Sequence, residues 1–115
     1  MSELNSALPV WNKADALTRL MNNETLLLRV VGMFRSTAQE QLDELKAHIS
    51  NERMKDATRM AHTLKGASGN IGAEQLMDVC ARLERAAEQG DSATINALMP
   101  ALDQAFAAAL AELPA

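Results

Sequence analysis

The chain has 115 residues, about one domain's worth of core, and its 48% hydrophobic and 23% charged residues exclude a disordered tail. Aromatics at 3%, no tyrosine and a net charge of −4 exclude the stacking platform and the basic face that nucleic acid requires. A single cysteine, Cys80, can close no internal disulfide and build no Cys-based zinc site, so the chain reads as a reduced, cytoplasmic-type protein.

Residues 1–10 read as a polar lead-in or linker ending at Pro9, with the domain proper over 11–115. Asn12 is placed to cap a short helix at about 13–21, with Ala14, Leu17, Leu20 and Met21 on one face. Asn22 and Asn23 break it, and Asn23 caps a long helix at about 24–49. There Leu27, Val30, Val31, Phe34, Ala38, Leu42, Leu45 and Ile49 step by three and four, as a one-sided helix requires. Ser50 and Asn51 make a turn, and Asn51 is expected to cap a third helix at about 52–70, ended by Gly72. A fourth helix at about 73–89 turns Leu76, Val79, Cys80, Leu83 and Ala87 inward. Gly90 and Asp91 stop it and start a fifth at about 92–112, which Pro100 is expected to kink or split.

These elements predict an all-α fold: an antiparallel up-down four-helix bundle with a short additional N-terminal helix. Such a bundle buries its own apolar faces, so a monomer is expected. The longest apolar run, Ala105–Ala111, falls far short of the roughly 20 residues a membrane helix needs, and no direct membrane contact is expected. No secretory leader pattern opens the sequence.

Two histidines are present, His48 and His62. His48 sits in the last turn of its helix, where a cation suits the dipole. On a helical wheel His62 faces water, opposite Met60, Leu64, Ala67 and Ile71, with Ala57 near them. Lys55, Thr58, Arg59, Lys65, Gly66 and Gly69 share its side. Cations on a solvated helix face are ordinary, yet Lys55, Arg59 and Lys65 could together stabilise negative charge placed on the ring. Each glycine inside a helix costs roughly 0.5–1 kcal/mol relative to alanine. Fraying near Gly72 accounts for Gly69 but poorly for Gly66; cleared space beside the imidazole, open to a phosphoryl group or a partner's cleft, accounts for both.

The string His62-Thr63-Leu64-Lys65-Gly66-Ala67-Ser68-Gly69-Asn70-Ile71-Gly72-Ala73 closely resembles the signature of histidine-containing phosphotransfer (HPt) domains. That signature is His-x-Leu-Lys-Gly, then small residues, then a hydrophobic residue and glycine. The resemblance extends over nearly the whole chain, the first ten residues excepted. It implies that His62 accepts a phosphoryl group from a receiver-domain aspartate and passes it to, or takes it back from, another. It implies that Lys65 neutralises the phosphoryl oxygens and that Gly66 and Gly69, with Lys55 and Arg59, serve access and receiver docking. In the family a polar residue 22 positions after the histidine often hydrogen-bonds the ring; here that residue is Glu84, whose other reading is a solvated helix position. The implied partners are receiver domains of response regulators or of a hybrid sensor kinase, whose C-terminal end domain this chain would suit. The Mg²⁺ for the chemistry would come from the receiver, with no intrinsic cofactor and no metal site here. Asn12 stands where many relatives carry aspartate, and both residues cap.

Catalysis in its own right finds no support. There is no phosphate-binding Gly-x-x-x-x-Gly-Lys-[Ser/Thr] loop, so no ATP site is expected, and no His-Glu-x-x-His zinc motif. A di-iron centre needs Glu-x-x-His pairs, but Arg59 and Leu45 precede the two histidines by three. The alternative reading is a non-catalytic helical docking module that binds receiver domains.

Overall fold

The computed structural model describes residues 5–115, so the first four positions of the expected lead-in lie outside the described residues. Five helices follow one another: α1 (Lys13–Arg19), α2 (Glu24–Ser50), α3 (Met54–Asn70), α4 (Glu74–Glu88) and α5 (Ser92–Glu112). No strand occurs among the described residues. Helices α2 to α5 form the up-down bundle, and their directions can be read from pairs of contacts. His62 meets Glu84 and Gly69 faces Met77, so α3 and α4 run antiparallel. Arg35 reaches Leu110 while Lys46 reaches Asp103, so α5 returns antiparallel beside α2 and closes the ring.

The core is the predicted stripe in α2, where Leu27, Val31, Phe34, Ala38, Leu42 and Leu45 are buried. Against it lie Ala57, Ala61 and Leu64 of α3, Leu76, Val79, Cys80, Leu83, Ala86 and Ala87 of α4, and an α5 face from Ile95 to Ala109. Full burial of a leucine-sized side chain is worth about 1.5–3 kcal/mol, so these four facing stripes together hold the bundle.

The helix ends repeat one device. After α3 the amide of Gly72 donates to Gly69 at 3.1 Å and that of Ala73 to Ser68 at 2.9 Å, with Gly72 at φ +78°. After α4 the amide of Gly90 donates to Ala87 and that of Asp91 to Ala86, with Gly90 at φ +64°. Both close otherwise unpaired carbonyls through a left-handed residue. Asn12, Asn23 and Asp91 then cap the starts of α1, α2 and α5, accepting from Asp15, Leu26 and Thr94 respectively.

Four expectations need correction. Asn51 does not cap α3: its side-chain amide donates to the Ala47 carbonyl at 2.8 Å and so closes α2. Glu52 takes φ +57° in the turn, and α3 starts at Met54 with no side-chain cap. Helix α1 stops at Arg19, because Met21 and Asn22 both adopt positive φ; Ala16 is its buried residue and Met21 is 89% exposed. Pro100 does not split α5, which runs as one helix through it. The ring is on the exposed side, and buried Leu98, Ala101 and Leu102 on either side hold the helix to the core. The inward face of α3 is turned toward Ala61 and Ser68, with Met60 and Ala67 only partly buried.

Helix α1 covers one end of the bundle. The Trp11 indole donates to the Ile71 carbonyl at 2.7 Å, and the Asn12 amide donates to Gly72 at 2.7 Å. Arg19 donates to the Gly69 carbonyl, and Gln75 donates to the carbonyls of Leu8 and Pro9. The loop that follows the His62 helix is thereby fixed by the N-terminal segment, some sixty residues earlier in the chain. Among the described residues no helix is long and apolar enough to cross a membrane.

Candidate functional site

His62 lies midway along α3, with its side chain 66% exposed. Among the described residues, one side chain is within hydrogen-bond distance of the ring. Its Nδ1 lies 3.0 Å from Oε2 of Glu84, which projects from α4 and is 15% exposed. Leu83 on one side of Glu84 and Ala87 one turn on are buried, so α4 is fixed where it presents this carboxylate.

The other oxygen of Glu84, Oε1, lies 2.7 Å from Nζ of Lys65. Lys65 is one turn beyond His62 on α3, and its side chain is 33% exposed. Partial burial pushes the Glu84 carboxyl up. The hydrogen bonds from Lys65 and His62, together with the Lys65 charge, outweigh this and leave it below its ordinary value. Glu84 is therefore a carboxylate at neutral pH and can only accept hydrogen bonds. Nδ1 must be the protonated nitrogen of a neutral His62 ring, which leaves the Nε2 lone pair free.

Gly66 is exposed, and a Cβ built there meets nothing within 4 Å. The space next to His62 on that side is open. Gly69 differs from expectation. It is buried, and a Cβ there would lie 2.9 Å from Sδ of Met77 on α4. Its absent side chain lets α3 approach α4 and clears no surface beside the ring. The wheel angle of Gly69 is close to that of His62, but α4 covers the helix at that level.

Lys55 and Arg59 are exposed, one to two turns before His62. Arg59 leans toward Asp56 at 3.7 Å. Both line an open groove of about 570 Å³ with Met54, Thr58, Ala87, Glu88, Gln89 and Gly90. The groove lies beyond the imidazole, so these cations share its flank without touching it. Away from the ring, Ala67, Asn70 and Ile71 of α3 line a smaller groove with Val30, Met33, Phe34 and Thr37 of α2. His48 lies apart at the end of α2, where its buried Nδ1 has no partner.

The resemblance offered Glu84 as a partner of the His62 ring, with a solvated helix position as the other reading, and the structure has the contact. What sequence reasoning missed is that the second oxygen of Glu84 holds Lys65, so that Glu84 bridges the two. The spacings of 3 and 22 hold that signal once α3 and α4 are known to be antiparallel.

An exposed imidazole with a fixed Nδ1 proton, a free Nε2 and an adjacent ammonium can attack an electrophilic phosphorus and then hold the phosphoryl group. A scan against protein-family models matches the Hpt domain over residues 29–112. The chain belongs to the Hpt domain family. Hpt domains carry phosphoryl groups on a histidine in phosphorelays, where they interact with receiver domains. In this Hpt domain the match runs from α2 to the end of α5, leaving α1 before it. No curated protein and no solved structure matched the chain.

Proposed function

We propose that His62 is the phosphorylated residue of this Hpt domain. One observation carries the reading: the Nδ1 to Glu84 contact leaves Nε2 as the nucleophile on the open side of the ring. Nε2 attacks the phosphorus of a receiver's aspartyl phosphate, in line with the departing carboxylate oxygen. Glu84 fixes the tautomer and stabilises positive charge on the ring as the bond forms, as the aspartate does in a catalytic triad. Lys65 offsets charge on the phosphoryl oxygens. Gly66 leaves the approach clear for them and for the partner's cleft, and Lys55 and Arg59 offer cations to the partner's acidic rim.

Mg²⁺ enters with the receiver's own carboxylates, and ATP has no role on this chain. Phosphate flows to or from either receiver according to their relative charging. In this reading the domain works as a cytoplasmic monomer, at the end of a hybrid sensor kinase.

The test mixes the protein with a receiver domain charged by acetyl phosphate and Mg²⁺. Intact mass should show one added phosphoryl group, stable to base and lost in acid. His62→Gln should gain none while keeping its helicity and thermal stability. An equal gain by His62→Gln refutes the assignment. No gain by the wild type, across a panel including receivers from the source genome, leaves the docking-module reading in its place.

A further inference from the structure

Glu84 is shared by two donors, and that sharing has a consequence for the loaded protein. In the resting state the cluster holds one anion, Glu84, and one cation, Lys65, beside a neutral imidazole. Lys65 takes Oε1 at 2.7 Å and His62 takes Oε2 at 3.0 Å. Loading changes the charges. The Nε2 lone pair forms an N–P bond as the P–O bond of an acyl phosphate breaks, and that bond's electron pair leaves on the donor carboxylate. The ring keeps its Nδ1 proton and becomes a cation. The phosphoryl group brings between one and two negative charges at neutral pH and three acceptor oxygens. Two anions and two cations then stand where one of each stood.

We infer that loading of His62 makes Lys65 exchange partners, its ammonium leaving Glu84 for the phosphoryl oxygens while Glu84 pairs with the ring. The inference rests on the carrier reading and adds an ordered change within the site. Glu84 is the fixed member, largely buried between α3 and α4. Lys65 is the mobile one, a third exposed on a flexible four-carbon stem. It starts one turn from the ring, on its α3 side. Once the ring is charged, an ammonium left on Glu84 competes with it for one carboxylate, while the phosphoryl oxygens go without a near cation. The exchange pairs every charge.

Among the other α3 cations, none stands as close to the ring as Lys65. On α3, Arg59 is drawn to Asp56 and Lys55 is a further turn away. From α4 the charged group in contact with the ring is Glu84.

A double-mutant cycle on the whole chain tests this. Lys65→Gln, Glu84→Gln and the double variant are unfolded in urea at neutral pH, each unloaded and each loaded with phosphoramidate, whose N–P bond breaks to release ammonia. Unloaded, the two positions should couple by about two- to fivefold in the unfolding constant, the range of a partly exposed ion pair. Loaded, the coupling should fall to about onefold. Equal coupling in both states overturns the exchange and leaves the carrier reading standing. A folded wild type that takes no phosphoryl group on His62 overturns both. A second measurement needs no variant. In wild type with labelled lysine and histidine nitrogens, loading should shift the Lys65 ammonium resonance and keep Nδ1 protonated. An unmoved Lys65 signal on loaded protein overturns the exchange.

Discussion

Gly66 and Gly69 stand three residues apart on α3 in opposite surroundings. A Cβ at 66 meets no atom within 4 Å, whereas one at 69 would lie 2.9 Å from the Met77 sulfur. The first glycine is dispensable to the fold and the second lets two helices approach. Gly66→Ala should therefore stabilise the protein, by about 0.5–1 kcal/mol, the ordinary helix preference of alanine. The same change puts a methyl beside the nucleophile and should slow phosphoryl transfer about tenfold or more by displacing the partner's cleft. Urea unfolding and single-turnover transfer measure the two effects. A variant both more stable and equally fast would remove Gly66 from the site. Gly69→Ala should gain less stability than Gly66→Ala, because Met77 must move.

Much of the bundle was legible because its helices are one-sided. The α2 stripe from Leu27 to Leu45 and the α4 stripe from Leu76 to Ala87 carry a clear period that picks out most of their buried residues; Val30 and Ile49 at the edge of the α2 stripe are only partly buried, and Ala86 of α4 is buried without having been picked out. Helix ends were less legible where one residue type does two jobs. Asn51 is as good a closing residue for α2 as an opening one for α3, and only backbone geometry decides. In α3 small residues blur the period: Ala57, Ala61, Ser68 and Gly69 are buried with little hydrophobic signal, so the inward face was set too far toward Met60 and Ala67. His62 and Lys65 were legible from their motif. The Glu84 bridge joins two helices, and no local pattern records which oxygen meets which donor.

Acid should weaken the domain partly through Glu84. Its carboxyl is held below the ordinary 4.5 in the folded state, so the unfolded chain binds a proton more readily. Stability from this group is then fully present above about pH 5 and is lost as pH falls through the folded value. The difference in unfolding free energy between wild type and Glu84→Gln should shrink progressively below pH 4.5. Urea titrations at half-unit intervals from pH 3 to 7 measure it. A difference that grows toward low pH would contradict the geometry around Lys65 and His62.

Cys80 is fully buried on α4, and burial pushes its thiol up to about 12. Only the thiolate attacks a disulfide reagent, so at pH 8 the native protein offers about one reactive form in ten thousand, and that one is inaccessible. A chromogenic disulfide should leave native protein unmodified for hours and titrate one thiol at once in strong denaturant. In native buffer the slow reaction should track opening of the bundle, so Gly72→Ala should speed it. Gly72 needs its φ of +78°, and a Cβ there would meet the Asn12 carbonyl. Rapid labelling of native wild type would show that α4 is not held in the core as the structure has it.

Arg35 tests whether the far end of the bundle matters to the site. It reaches from α2 to the last turn of α5, where Nε donates to Pro114 at 2.6 Å and Nη2 donates to Leu110 at 2.6 Å and Leu113 at 2.7 Å. Those carbonyls have no helical amide beyond them, and the guanidinium supplies both donors and a cation at the negative end of the dipole. Arg35→Ala should cost about 1–3 kcal/mol, the range for hydrogen bonds to a charged group, and amide exchange should rise in the last turns of α5 first. Arg35→Lys should recover only part of the loss, because a single ammonium cannot span three carbonyls as a planar fork does. The His62 side of the molecule is built from α3 and α4, whose contacts with each other do not pass through Arg35. Phosphoryl loading under folding conditions should then match wild type. A loading defect that scales with the stability loss would mean that α5 positions the α3–α4 pair, and that the site depends on all four helices.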